Sequence, residues 1–201
     1  SGARLVPDSL GRPLEAYHFD GVNDHITVTN DPILNVEDGI TVSLFVRPED
    51  IGDKERFIIS HGSWHNRWKI SITPERKVRW TIKNNTGQVK DLDALTPLES
   101  GRQYHLACAY SGNFMIVYLN GRLESFSSFS GALAPSPVDL EIGQMVPGDN
   151  MYNFSGILDE IKIFDAALSP MRIASESGMT TGIHDTPLAN IHGIEVFPNP
   201  A

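Results

Sequence analysis

Cysteine is almost absent: Cys108 stands alone in 201 residues, which excludes an intrachain disulfide and leaves stability to packing. Long apolar runs are absent too. No stretch of about 18 apolar residues occurs, so nothing reads as a membrane-spanning helix, and no basic-then-apolar leader opens the chain. An export signal removed ahead of Ser1 would leave the same start. Positive charge is scarce, with 16 Lys and Arg against 25 Asp and Glu and a net charge of −9. A general nucleic-acid binder would show a basic stripe that dominates the balance, so that class is set aside. Catalytic signatures are also lacking: there is no G-x-S-x-G and no glycine-rich phosphate loop, and Cys108 sits in an apolar stretch as inert core.

What is present is β pattern. At 40% hydrophobic, the length suits one all-β sandwich or barrel. Gly156 to Ser169, GILDEIKIFDAALS, reads as one long strand, with Ile157, Asp159, Ile161 and Ile163 on one face and Leu158, Glu160, Lys162 and Phe164 on the other. A Ser169 cap and Pro170 then open a short helix. Upstream, Tyr17 to Val28 is a strand interrupted by a polar turn, and Ala3 to Glu15 reads as an irregular entry. Ile40 to Pro48 alternates Val42, Leu44 and Val46 against Thr41, Ser43 and Phe45. Trp68 to Thr73 and Val78 to Lys83 flank Pro74 to Lys77 as a hairpin, with His61 to Asn66 a polar, aromatic loop before it. Tyr104 to Tyr110 is apolar on both faces, as a covered central strand is. Asn120-Gly121 turns Phe114 to Leu119 into Arg122 to Phe126, and Val138 to Ile142 is one more strand.

The FDG of Asp20-Gly21 followed by an apolar strand, the order YHLA, VYLNG and LEIG, and the closing GILDEIKIFDAALS together resemble laminin-G-like domains of the concanavalin A-like lectin/glucanase superfamily. The resemblance covers about Ala16 to Ile173. It implies an all-β, two-sheet antiparallel jelly-roll sandwich (concanavalin A-like) with one short helix after the last strand, occupying residues 1–178. The family's earlier first strand has no counterpart from Ser1 onward, either because the protein dispenses with it or because the sequence starts inside the domain; a strand missing from the fold would expose a sheet edge. Residues 179–201 read as a linker followed by V-F-P-N-P, which resembles the truncated start of the C-terminal sorting domain used by type IX secretion. That resemblance implies a monomeric domain of a longer chain, secreted or on the outer cell surface.

The resemblance also implies calcium. Asp20 and Asp24 lie in one turn, and Asp159 sits on the strand that in the family packs near it; carboxylates and loop carbonyls supply the hard oxygens calcium requires. The competing reading is that Asp20-Gly21 and Asn23-Asp24 only close turns through side-chain to backbone hydrogen bonds. For a ligand, Trp68 and Trp80 share faces with isoleucines and belong to the core. Trp64 differs, lying in a loop with His65, Asn66 and Arg67, either an exposed platform for a sugar ring or a buried anchor. On the outward face of the hairpin Arg67, Lys69, Arg79 and Lys83 line up, and like charges on neighbouring strands cost stability unless neutralised. An acidic polysaccharide, carboxylates such as Asp91 or Asp93, or plain solvation would each do so. The superfamily's hydrolases carry E-x-D-x-E, which is absent; Asp139 and Glu141 share a face and read as a solvated pair. The expectation is a non-catalytic carbohydrate-binding or adhesion module, with a structural spacer or protein-interaction domain and a degenerate glycoside hydrolase as the alternatives.

Overall fold

The computed structural model describes residues 2–8, 11–178 and, through the backbone alone, 193–197. In chain order the strands are β1 (Arg4–Val6), β2 (Ala16–Asp20), β3 (Ile26–Val28), β4 (Ile40–Pro48), β5 (Arg56–His61), β6 (Trp68–Ile72) and β7 (Lys77–Lys83). They continue as β8 (Val89–Pro97), β9 (Tyr104–Tyr110), β10 (Phe114–Leu119), β11 (Arg122–Ser128), β12 (Leu140–Ile142), β13 (Ser155–Phe164) and β14 (Gly193–Phe197). Two short α-helices, α1 (Ser63–Asn66) and α2 (Pro170–Glu176), and a 3-10 turn at Pro32–Leu34 complete the described elements. One antiparallel sheet runs β1-β2-β13-β4-β9-β10-β11, with β14 also paired to β13; the other runs β3-β12-β5-β6-β7-β8. This is the two-sheet jelly roll expected from the sequence.

The sheets meet over one apolar core. β4 contributes Val42, Leu44 and Val46, β9 contributes Leu106, Cys108 and Tyr110, and the β6–β7 hairpin contributes Trp68, Ile70, Ile72, Val78, Trp80 and Ile82. Each fully buried isoleucine is worth about 2 kcal/mol of removed apolar surface. Both tryptophans are core residues as the isoleucine-bearing faces require, and Trp80 Nε1 donates to the Ala109 carbonyl at 3.2 Å. On the far side of the first sheet a second cluster, Ala107, Tyr118, Phe164, Leu168 and Ile173, seats α2. The Ser169 hydroxyl caps that helix by accepting from Arg172 N–H at 3.3 Å.

Four elements differ from the sequence reading. Arg4–Val6 is not irregular: it pairs with β2 and lengthens the sheet. His61 ends β5 as a buried residue, and the rest of the expected loop is the four-residue α1. β8 has no counterpart among the expected strands, because the apolar residues of VKDLDALTP do not alternate cleanly and only Ala94 is buried on this sheet edge. Finally, β13 does not hold one alternation. Its register against β4 shifts between Asp159 and Lys162, and Glu160 takes φ 45° at this bulge. The extra residue changes phase, so Leu158, Ile161 and Ile163 all reach the core. The sorting-domain reading falls on 179–201, which lie outside the described residues apart from the β14 backbone.

Candidate functional site

The end of β5 is built to push an aromatic residue outward. Gly62 and Ser63 adopt φ 76° and 55°, and a Cβ on Gly62 would come within 2.5 Å of Asn66 Cβ, so the turn demands glycine there. Ser63 N–H donates to Ser60 Oγ at 2.8 Å, while Asn66 N–H and Arg67 N–H return to the Gly62 and Ser63 carbonyls at 3.1 Å each. A left-handed serine costs energy that the surrounding bonds must hold, and such strain gathers where geometry serves a purpose. The result presents Trp64, 48% exposed, stacked on His65 with ring centroids 3.6 Å apart and planes 28° apart. Lys83 Nζ pins the same turn by donating to the His65 carbonyl at 2.6 Å. Asn66 is half-buried beside them, and the Ser63 hydroxyl is buried with no hydrogen-bond partner among the described residues.

The basic row does not survive as a free surface. Arg67 is fully buried; its guanidinium donates to the Ala134 carbonyl at 2.6 Å and to the Val36 carbonyl, and burial lowers its pKa to about 10. Arg67 is therefore a staple under the loop. Lys69 is buried too, donating to Glu55 and, at 2.9 Å, to Ser71 Oγ, with its ammonium 4.5 Å from the centre of the Phe57 ring. Burial pushes its pKa down although Glu55 pulls the other way. Arg79 makes a two-pronged pair with Asp93 at 2.7 and 2.9 Å, and Asp91 stands 3.7 Å away; the Asp93 bond raises the Arg79 pKa. Of the three neutralising partners open at the sequence level, the structure supplies carboxylates.

The register of the second sheet shows what the outward face is. Thr27, Glu141, Ser60, Lys69, Thr81 and Asp91 are successive cross-strand partners from β3 to β8. Glu141 is 1% exposed, contrary to the expected solvated pair, and accepts from Thr27 Oγ1 at 3.1 and 3.0 Å. Burial raises its pKa. Asp139 is occupied elsewhere, accepting from Asn30 N–H at 2.8 Å. Sequence reasoning missed this row because its members lie on six segments, joined only once the strand order is known.

The carboxylates expected to hold calcium are dispersed. Asp20 Oδ1 accepts from Val22, Asn23 and Asp24 N–H at 2.8, 3.3 and 3.4 Å, and the Val22 bond leads in lowering its pKa. Asp24 Oδ2 accepts from Asp20 N–H at 3.0 Å. Asp20 pairs with Ser155 of β13, so Asp159 lies four residues further along, about 13 Å at strand rise. Asp159 instead sits against β4 opposite Phe45, accepts from Glu160 N–H at 2.8 Å, and is raised to about 6 by burial.

A laminin G family model described as the concanavalin A-like lectin/glucanases superfamily matches residues 20–174. The chain belongs to the concanavalin A-like lectin/glucanase superfamily. No curated protein matches its sequence significantly. Among solved structures it resembles the native heptameric SAP-like pentraxin of Limulus polyphemus, with TM-score 0.61 and 18% identity over 81% of each chain. It also resembles the binding domain of Paraclostridial mosquitocidal protein 1, with TM-score 0.70 and 18% identity over 88% of this chain and 45% of that one. The binding domain of botulinum neurotoxin serotype G follows, with TM-score 0.65 and 16% identity over 82% and 42%. The chain thus spans less than half the length of the two toxin chains. These likenesses establish the fold.

The superfamily assignment sharpens the metal question. The turn reading of Asp20 and Asp24 is the one the hydrogen bonds support, and the register separates Asp159 from both, so these three carboxylates do not form one donor set. No cluster of three or more His, Cys, Asp or Glu with metal-binding geometry occurs among the described residues.

Proposed function

We propose that this domain is a non-catalytic carbohydrate-binding or adhesion module of a secreted or cell-surface protein, with Trp64 as its platform. The observation that carries the reading is the half-exposed indole stacked on His65 at the end of a strained turn. Core tryptophans bury themselves. This one is held out by Gly62 and Ser63, and a sugar's apolar C–H face stacks on such a ring. The exposed His65 and half-buried Asn66 supply polar groups beside it. Because Arg67, Lys69 and Arg79 already have partners, the platform suits a neutral glycan better than an acidic one. Substituting Trp64→Ala is expected to abolish glycan binding in isothermal titration while moving Tm by less than about 2 °C, since the indole contributes little buried area. A large Tm loss would make Trp64 a structural anchor.

One observation favours a second reading, a protein-interaction domain. Phe114, Leu123 and Phe126 are exposed together on the β10–β11 edge, with Leu95 on β8, the edge strand of the second sheet. Phe126→Lys would disrupt partner capture under that reading and leave glycan binding intact under the first. A hydrolase reading would rest on Glu141, and equal activity of the native domain and Glu141→Gln would remove it.

A further inference from the structure

Along one flank β13 is shared by two strands. β2 pairs with its first part, from Asp20 opposite Ser155 to Tyr17 opposite Leu158, and goes no further. The chain ahead of β2 turns away at Pro13 and Leu14, and Leu14 takes φ 60°, a left-handed conformation that leucine rarely adopts. The bulge at Glu160 falls at the same level, and bulges are a common place for strand pairing to end. β2 thereby leaves Ile161 to Phe164 as an open edge, with β4 paired along the other flank.

Such an edge presents a row of N–H and C=O groups to whatever extended chain reaches it. The strand that reaches it is β14: Gly193, Ile194, Glu195 and Phe197 stand opposite Phe164, Ile163, Lys162 and Ile161. Every copy of the chain thus carries one slot and one strand that fits it in register. Residues 179–192 lead from Gly178 to β14, and a segment of that length reaches up to about 46 Å, nearly three times the radius of gyration of a domain this size, about 16 Å. That reach does not confine β14 to its own domain, and exchange of an identical element between copies is a low-cost route to a dimer. We propose that Ile161–Phe164 is a strand-acceptor site through which two copies of this chain pair, each lending residues 193–197 to the β13 of the other.

The exchange closes on itself, because each copy gives one strand and receives one, so assembly stops at two. The ladder that holds the pair is the one a single chain makes, so the added cost is that of bringing two chains together, which protein concentration offsets. Charge opposes it: each copy carries −9, and salt screens that repulsion. The acceptor edge belongs to the first sheet, whereas Trp64 follows β5 of the second, so the two sites use different elements. A pair carries two such rings, and bivalent attachment to a repeated ligand strengthens binding without new contacts. The pairing itself does not rest on the platform reading.

Sedimentation equilibrium of the whole chain tests it. From about 5 to about 500 µM the mass is expected to climb from that of one chain toward twofold, with a larger dimer fraction at about 300 mM salt than at about 20 mM. Glu195→Pro interrupts the β14 ladder and should stay monomeric with a cooperative melt. Lys162 and Glu195 are register partners, so a chain carrying Lys162→Cys and Glu195→Cys reports which copy supplies the strand. Oxidised at the highest concentration, it should run as two linked chains on a non-reducing denaturing gel, with Cys108 buried out of reach. A native chain that is monomeric at every concentration would overturn the proposal. So would a linked product that runs only as one chain, or a dimer that persists in Glu195→Pro, which would place the interface elsewhere.

Discussion

Arg67 illustrates how a residue can be misread when its parity is right and its surroundings are unknown. It follows the outward alternation of Lys69, yet at the strand's end it turns under α1 and satisfies two loop carbonyls, Val36 and Ala134. Removing it leaves both acceptors buried and empties a large volume, so Arg67→Ala should cost about 3 kcal/mol or more and lower Tm by roughly 6–12 °C. Glycan affinity per folded molecule should stay unchanged in titration, because no part of Arg67 reaches the surface. Asp159 makes a second residue-level case. Its carboxyl, raised to about 6 by burial near Asp8 and Glu160, takes up a proton on folding. Such a group favours the folded state at low pH and loses that contribution as pH rises through about 6. Asp159→Asn should therefore melt above the native chain at pH 8, with the margin shrinking toward zero below about pH 4. A margin that grows at low pH would contradict this assignment. Nothing in the local pattern announces either residue's fate; both depend on segments distant in sequence that cover them.

At the scale of the element, β13 shows how much of a strand its pattern reveals. The length, the closing motif and the serine-capped helix after it are all legible, because they rest on local chemistry: apolar periodicity, a hydroxyl cap and a proline at the first helical turn. The bulge is not. Glu160 is an ordinary strand residue by type, and its left-handed φ arises only because β4 and the core fix where Leu158 and Ile161 must both point. A side chain in this conformation costs about 1 kcal/mol relative to glycine. Glu160→Gly should hold or slightly raise stability in urea titration, since its contacts to Lys162 and Arg12 are half-exposed, whereas Glu160→Val should lower it by about 1–2 kcal/mol. Equal effects of the two substitutions would remove the bulge from the account. β8 escaped the sequence reading for a related reason: an edge strand that exposes one face carries little apolar signal, and only pairing with β7 defines it.

For the whole molecule, the fold was readable while most of the surface was not. Alternation and an ordered set of motifs lead to two sheets and one core, which the strand order and the superfamily match confirm. The charged face required the assembled register, because Glu55, Asp91 and Asp93 neutralise Lys69 and Arg79 only when loops and strands come together. That neutralisation decides among the three options open for this face in favour of carboxylates, makes it a polar face with balanced charge, and leaves the stacked Trp64 and His65 rings exposed at the end of β5. The most direct measurement is a glycan array of the purified domain, with neutral, uronic-acid and sulfated polysaccharides side by side at low and high salt. The account predicts binding to neutral glycans that is indifferent to salt, as ring stacking is. Binding confined to acidic glycans and lost at high salt would contradict it, and would return the site to the cations that the structure shows already paired.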